Sequence, residues 1–310
     1  MFMPARKLVS GALKAVAFVI YPVLELYQYF VFIGLLCMEE NGMLSWTILI
    51  AYIVYHLLLA YKSMFYILLL ATDDKSTLDI FPDLPCDGSN IEIRNINSFV
   101  EERIMKDNLS RIKLCGKCKT YKPPRAHHCN ACKRCYLKYD HHCLMLGVCI
   151  GLHNYKFFYQ FLFMNLVTCL FLMIFVSVYM MTAEWMASKR IANYIVLLSL
   201  TSVEFVFTSA LLIFHTWLIG TNETTIEHYV IDDYINGDHT FGHIFQEGPI
   251  TSLSTSTDRQ VLNPYNLGFS QNWRQVFGNS IMHWLMPTYS TPGNGVSFPK
   301  NYNKYYEFLY

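Results

Sequence analysis

Seven of the ten cysteines lie between Cys115 and Cys149, together with four of the eleven histidines. Cys115-x2-Cys118 and Cys129-x2-Cys132 have the spacing at which a tight turn aims two sulfurs at one tetrahedral ion. The window also repeats itself with a shift of 14 residues: Cys115, Cys118, His128 and Cys135 become Cys129, Cys132, His142 and Cys149. Each set reads C-x2-C-x9-H-x6-C. Three thiolates and one imidazole are the composition of a closed structural zinc site, so two structural Zn2+ ions are expected. Pairing by repeat phase is one assignment, and the ligand count alone admits others.

Removing these eight ligands leaves Cys143, His127 and His141. Cys143 stands where a third copy would begin, but Leu146, Lys156 and Phe163 occupy the later ligand places of that copy. A thiol without metal partners therefore sits beside Asp140 and His141. Thiol, imidazole and carboxylate are the parts of an activated nucleophile: the imidazole takes the thiol proton and the carboxylate fixes the imidazole's tautomer. Four residues taken alone would equally fit a spare ligand or a buried thiol; subtracting the zinc ligands favours the nucleophile. Arg111–Tyr139 holds nine Lys/Arg and no acid, a face suited to anionic lipid headgroups or to a phosphate-bearing ligand.

The elements that must carry this window are membrane helices. Hydrophobic residues make up 53% of the 310 and charged residues only 15%, too apolar for disorder. A net charge of +1 excludes binding of nucleic acid by bulk charge. Ala15–Cys37, Trp46–Leu70, Phe161–Met181 and Tyr194–Gly220 each have the length and apolarity of a bilayer span. The expected fold is an α-helical integral membrane protein, with four transmembrane helices and a two-zinc cysteine-rich domain between helices two and three. Fourteen of the 24 Lys/Arg fall in Thr72–Lys156, which assigns that loop and both termini to the cytosol. The division is then 1–71 (N-terminus, helices one and two), 72–156 (cytosolic loop, core 111–156), 157–220 (helices three and four) and 221–310 (cytosolic tail). Within the tail, Asn272–Met286 reads as one short interfacial helix, and the Tyr-, Asn- and Gly-rich sequence from Thr288 onward as flexible.

Cys115-Gly-Lys-Cys, Lys122-Pro-Pro-Arg-Ala-His-His-Cys129, Cys132-Lys-Arg-Cys135 and Asp140-His-His-Cys143 resemble the cysteine-rich domain of the DHHC family of protein S-acyltransferases. The likeness continues through Cys149-Ile-Gly-Leu-His-Asn154-Tyr-Lys-Phe-Phe158. Thr224-Thr225-Ile-Glu227 resembles the family's TTxE motif, and Asn263-Pro-Tyr-Asn-Leu-Gly268 with Asn272 resembles its aromatic C-terminal motif. The resemblance implies that Cys143 takes a long-chain acyl group, commonly palmitoyl, from acyl-coenzyme A and passes it to a cysteine of a membrane-associated protein. It implies His141 as general base, Asp140 as its orienter, the same two zinc sets, and an acyl cavity between the transmembrane helices. Thr224, Thr225, Glu227, Asn154 and Asn272 are then supporting residues, and an ER or Golgi address is expected. Burial of a C16 chain would contribute about 0.8 kcal/mol per CH2. Lys133, Arg134 and Lys138 are candidate contacts for the coenzyme A phosphates. In one respect the sequence departs from the family: Leu144, Met145 and Val148 stand where Pro, Trp and Asn are usual.

Three other readings compete. A catalytically silent, zinc-stabilised membrane scaffold is favoured by that departure and opposed by the intact Asp140, His141 and Cys143. A RING-like ligase fits the strict 14-residue phase and the spare thiol poorly. A transporter is suggested by Glu25, Lys62, Glu204 and His215 inside the spans, but four helices without an inverted repeat argue against it.

Overall fold

The computed structural model describes residues 21–38, 46–72, 76–81, 114–182, 188–238 and 259–301. Among the described residues, four helices are long and apolar enough to cross a bilayer: α1 (Tyr21–Met38), α2 (Trp46–Ala71), α4 (Tyr155–Thr182) and α5 (Ser188–Thr221). Between α2 and α4 lie the one-turn helix α3 (Thr77–Ile80) and the strands β1 (His127–Cys129), β2 (Arg134–Tyr136), β3 (His141–Cys143) and β4 (Val148–Ile150). After α5 come α6 (Thr225–Ile235), α7 (Arg259–Leu262), α8 (Phe269–Phe277) and α9 (Ile281–Leu285). The chain divides into two compact units.

One unit comprises Met1–Ala71, Cys143–Val148 and Phe157–His215. Its core is aliphatic and aromatic, with Phe32, Leu36, Tyr55, Leu172, Val176 and Leu197 fully buried. The charges that interrupt the apolar runs meet one another. Lys62 Nζ donates to both carboxylate oxygens of Glu25 (2.8 and 2.7 Å) and approaches Asn165 Oδ1 (3.4 Å). Asn165 Nδ2 in turn donates to Glu204 Oε1 (2.9 Å) and Thr208 Oγ1 (3.0 Å), and Gln28 donates to Glu204 Oε2 (2.7 Å). All four spanning helices contribute to this network, which suits polar groups that hydrocarbon would otherwise leave unsatisfied.

The second unit comprises Thr72–His142, Cys149–Lys156 and Thr216–Tyr310. Helix α4 starts at Tyr155, earlier than the apolar run beginning at Phe161, and Lys156 in its first turn finds hydrogen-bond acceptors. The fully buried Lys156 ammonium donates to Thr288 O (2.6 Å) and Ser290 Oγ (2.8 Å). An apolar-run criterion stops at such a charge, whereas the backbone ladder does not.

The tail differs from expectation in two ways. The single helix expected over Asn272–Met286 is two helices, α8 and α9, broken at Gly278. There φ is +83°, and a Cβ would lie 2.8 Å from Ser290 O, so only glycine allows the approach. The stretch from Thr288, expected to be flexible, is packed as far as residue 301; residues 302–310 lie outside the described residues. Ser290 Oγ donates to Phe277 O and Thr291 Oγ1 to Val276 O (both 2.8 Å), Asn301 N donates to Pro264 O (2.8 Å), and Val296 is buried. Asn- and Gly-rich composition reads as loose, but here its backbone groups find tertiary partners.

Candidate active site

The 14-residue repeat is written into the backbone. Strands β1 and β2, shifted by 14, become β3 and β4. In the first hairpin His128 pairs across the strands with Cys135, so the register itself brings two ligands of one set together. Each Cys opens the same knuckle turn. Lys119 N donates to Cys115 O (2.7 Å), Lys133 N to Cys129 O (2.8 Å) and Gly147 N to Cys143 O (2.8 Å). The donors all sit in the left-handed region, at φ +55°, +60° and +70°. In the first two turns the N–H of Cys118 or Cys132 also reaches the leading sulfur, at 3.4 and 3.3 Å. At Cys143 the turn survives without the second thiol, since Leu146 stands there and is buried.

Two sets of donor atoms converge, each within 4.8 Å: Cys115, Cys118, His128 and Cys135, and Cys129, Cys132, His142 and Cys149. His128 Nδ1 lies 3.7, 3.1 and 3.8 Å from the sulfurs of Cys115, Cys118 and Cys135. His142 Nδ1 lies 3.5 and 3.4 Å from those of Cys132 and Cys149. Zinc bonds of about 2.3 Å to sulfur and 2.0–2.1 Å to nitrogen imply an N···S edge of about 3.6 Å in a tetrahedron. The donor sets therefore fit zinc. Burial, with Cys115 and Cys118 as neighbours, pushes the Cys135 thiol well up; burial, with Cys132 and Cys129, does the same at Cys149. Clustered thiolates of this kind need a shared cation. Bound there, zinc would have four protein ligands and no open position, which is a structural role.

Asp140 is buried and held from one side by a helix start. Thr225 N donates to its Oδ1 (2.9 Å) and Thr225 Oγ1 to its Oδ2 (2.6 Å), while His141 Nδ1 lies 2.7 Å from Oδ2. A proton on Nδ1 leaves the basic lone pair of His141 on Nε2. Alternation along β3 puts His141 and Cys143 on one face of the strand and the ligand His142 on the other. Helix α6 presents Thr225 because Thr224 caps it. Thr224 Oγ1 accepts from Glu227 N (3.3 Å), and Glu227 Oε2 accepts from Thr224 N (2.8 Å), a reciprocal capping box.

Glu227 is tied in turn to Arg125, whose guanidinium donates to both carboxylate oxygens (2.8 and 2.7 Å) and to Asn222 Oδ1 and O (3.1 and 2.8 Å). Tyr265 and Phe298 lie under the same guanidinium, at 4.4 and 5.1 Å. Burial alone would raise the Glu227 carboxyl, but Arg125 outweighs it and holds the group below its ordinary value. In the sequence Arg125 stands out only as one residue of the Lys122-Pro-Pro-Arg-Ala-His-His-Cys129 motif. The available signal was one Arg and one Glu, each inside a separate short motif and free to neutralise the other on burial.

The other expected residues are placed as follows. Asn154 accepts from Gly151 N (2.9 Å) and donates to Cys149 O (2.9 Å), bracing a zinc ligand. Asn272 is fully buried and donates to Gly220 O (2.7 Å) and Asn266 Oδ1 (2.8 Å) while accepting from Leu267 N (2.9 Å). Lys133 and Arg134 are exposed at the first hairpin, with Arg134 3.3 Å from Asp79. Lys138 lines a cavity with Asp140, Glu223 and Thr224. Leu144 and Met145 are exposed.

Residues 108–231 match the family model described as DHHC palmitoyltransferase. Among curated proteins, the chain is 36% identical over 191 residues to palmitoyltransferase ZDHHC20 of Homo sapiens, covering 61% of this chain and 46% of that protein. It is 35% identical over 191 residues to palmitoyltransferase ZDHHC15 of Rattus norvegicus and to palmitoyltransferase ZDHHC2 of Mus musculus, covering 61% of this chain and 50% and 46% of theirs. The chain thus spans about half the length of the curated relatives it matches. With its four apolar helices, it is a multi-pass membrane protein. Both metal-ligand sets, Asp140-His-His-Cys143 and the helix start that grips Asp140 fall inside the segment that matches the DHHC palmitoyltransferase model.

Proposed function

We propose that the protein is a protein S-acyltransferase that moves a long-chain acyl group, palmitoyl in the first instance, from acyl-coenzyme A to cysteines of membrane-associated proteins. One observation carries this reading: the eight other Cys and His ligands form two complete donor sets, while Cys143 shares strand β3 with His141, whose imidazole is held by a gripped Asp140. His141 takes the proton of Cys143. The sulfur then attacks the thioester carbonyl, the C–S bond to coenzyme A breaks, and coenzyme A leaves as a thiol carrying that proton. In the second step a substrate thiol attacks the acyl-Cys143, its proton passes to His141, and Cys143 is released. The two zinc ions are structural and hold the hairpins. Lys133 and Arg134, exposed and basic, are proposed contacts for the coenzyme A phosphates.

The acyl chain would lie among the spanning helices, and the grouping of Cys143–Val148 with those helices in one compact unit supports that reading. The central loop and both termini are proposed to be cytosolic, in the ER or Golgi, with the domain division as expected above. The sequon Asn222-Glu-Thr224 agrees with this. Asn222 is buried and its Nδ2 donates to Tyr265 O (2.8 Å), leaving no amide for a glycan. The sequon at Asn108 lies outside the described residues.

The test incubates purified full-length protein with labelled palmitoyl-coenzyme A. Hydroxylamine-sensitive label on wild type, lost in Cys143→Ser with zinc content unchanged, is expected. Absence of label on zinc-loaded wild type would leave the silent scaffold as the better reading.

A further inference from the structure

Lys138 has a setting unlike that of Lys133 and Arg134. It follows the buried Leu137 with φ at +41°, a backbone conformation that a lysine rarely adopts. The residue is half-buried. The cavity it lines measures about 20 Å³. That is room for a bridging water rather than for a nucleotide's phosphate chain. Around the cavity stand the carboxylates of Asp140 and Glu223, the cap Thr224, Asn222, and the apolar Leu152, Leu218, Ile219 and Val276. Among the described residues the ammonium makes no direct hydrogen bond, and Asp140, on the same cavity lining, acts on it electrostatically.

We propose that Lys138 is a positioning residue for the Asp140–His141 pair, acting electrostatically through the cavity that it shares with Asp140, and is not a ligand of the coenzyme A phosphates.

The chemistry follows from the charges. Asp140 must stay ionised and stationary to keep a proton on His141 Nδ1, and α6 already supplies two donors to it. A cation facing the same carboxylate across a small, low-dielectric cavity adds attraction without occupying a hydrogen-bonding site on either oxygen. Burial, and after it the Arg125 guanidinium, push the Lys138 ammonium down to about 7, against the pull of Glu227 and Asp140. Near neutral pH the group is therefore partly charged, and its carboxylate neighbours favour the charged form.

This inference rests on the acyltransferase reading, and the experiment separates the two. Full-length wild type, Lys138→Met, Lys138→Arg and the pair Lys133→Met/Arg134→Met are reconstituted in nanodiscs. Acyl-enzyme formation is followed against palmitoyl-coenzyme A concentration, with zinc content and melting temperature measured alongside. Lys138→Met is expected to lower the saturating rate by about tenfold or more while leaving KM unchanged. Lys138→Arg should recover most of the rate, and the Lys133/Arg134 pair should do the reverse, raising KM and sparing the rate. A raised KM at an unchanged rate in Lys138→Met, or no effect on either, overturns the proposal. If Lys138→Met loses zinc, Lys138→Arg decides, and a KM effect there has the same meaning. A zinc-loaded wild type that forms no acyl-enzyme sinks the acyltransferase reading, and this inference with it.

Discussion

Replacing Arg125 by Met should damage stability first and chemistry second. The substitution keeps an unbranched side chain of similar reach but removes the charge and all four hydrogen bonds to Glu227 and Asn222. Breaking a buried ion pair by deleting one partner costs about 3–5 kcal/mol, because the remaining charge is stranded. The upper half of that range applies here, since Asn222 Oδ1 and O lose donors as well. Arg125→Lys keeps a charge but not the two-pronged geometry, and should cost about half as much.

The pH dependence has a definite sign. With Arg125 present, the Glu227 carboxyl is held below its ordinary value, so the pair's contribution is full above the unfolded carboxyl's titration and is lost as pH falls through the depressed one. Without Arg125, burial is opposed only by weaker influences such as the Thr224 N–H bond and the group rises, so the variant should be weakest near neutrality, and its deficit should shrink on acidification. Thermal melting followed by tryptophan fluorescence in detergent is the assay, with a drop on the order of 10 °C expected at pH 7. Because Glu227 closes the cap that aims Thr225 at Asp140, acyl-enzyme formation should fall in parallel while zinc content stays unchanged. A variant that melts with wild type at pH 7, or whose deficit is the same at pH 7 and pH 4, would refute the reasoning.

Thr225→Val removes the hydroxyl donor to Asp140 but keeps the backbone one; it should slow acyl-enzyme formation about 10- to 100-fold at unchanged KM, with Thr225→Ser close to wild type in the same assay. Lys62→Met leaves Glu25 without its ammonium in the spanning unit and should cost about 3 kcal/mol by thermal inactivation in nanodiscs. Adding Glu25→Gln to it should restore part of the loss, and strict additivity would show that the pair is not coupled. Gly295→Ala places a Cβ 2.5 Å from Leu152 Cδ2 and 2.7 Å from Leu137 Cδ1 at φ +74°, which should cost about 1–3 kcal/mol and admit protease to residues 288–301.

The sequence alone determined whatever depends on residue type and short spacing. Zinc sites are built from turns of a few residues, so C-x2-C-x9-H-x6-C and its 14-residue shift already contained both donor sets and the leftover Cys143. Spans are legible because bilayer thickness sets a minimum apolar length, so the apolar runs alone give four spans whose far ends fall within a few residues of the helix ends. Other features depended on groups distant in the chain and were decided only by folding. Lys156, in the first turn of α4, finds its acceptors at Thr288 and Ser290, more than 130 residues later. The tail's order, the break at Gly278 and the fate of Glu25, Lys62 and Glu204 likewise came from partners that no local pattern reveals. The same holds for the path from Arg125 through Glu227 and Thr225 to Asp140. Each is a desolvated polar group, and which partner offsets its burial is a property of the packed chain.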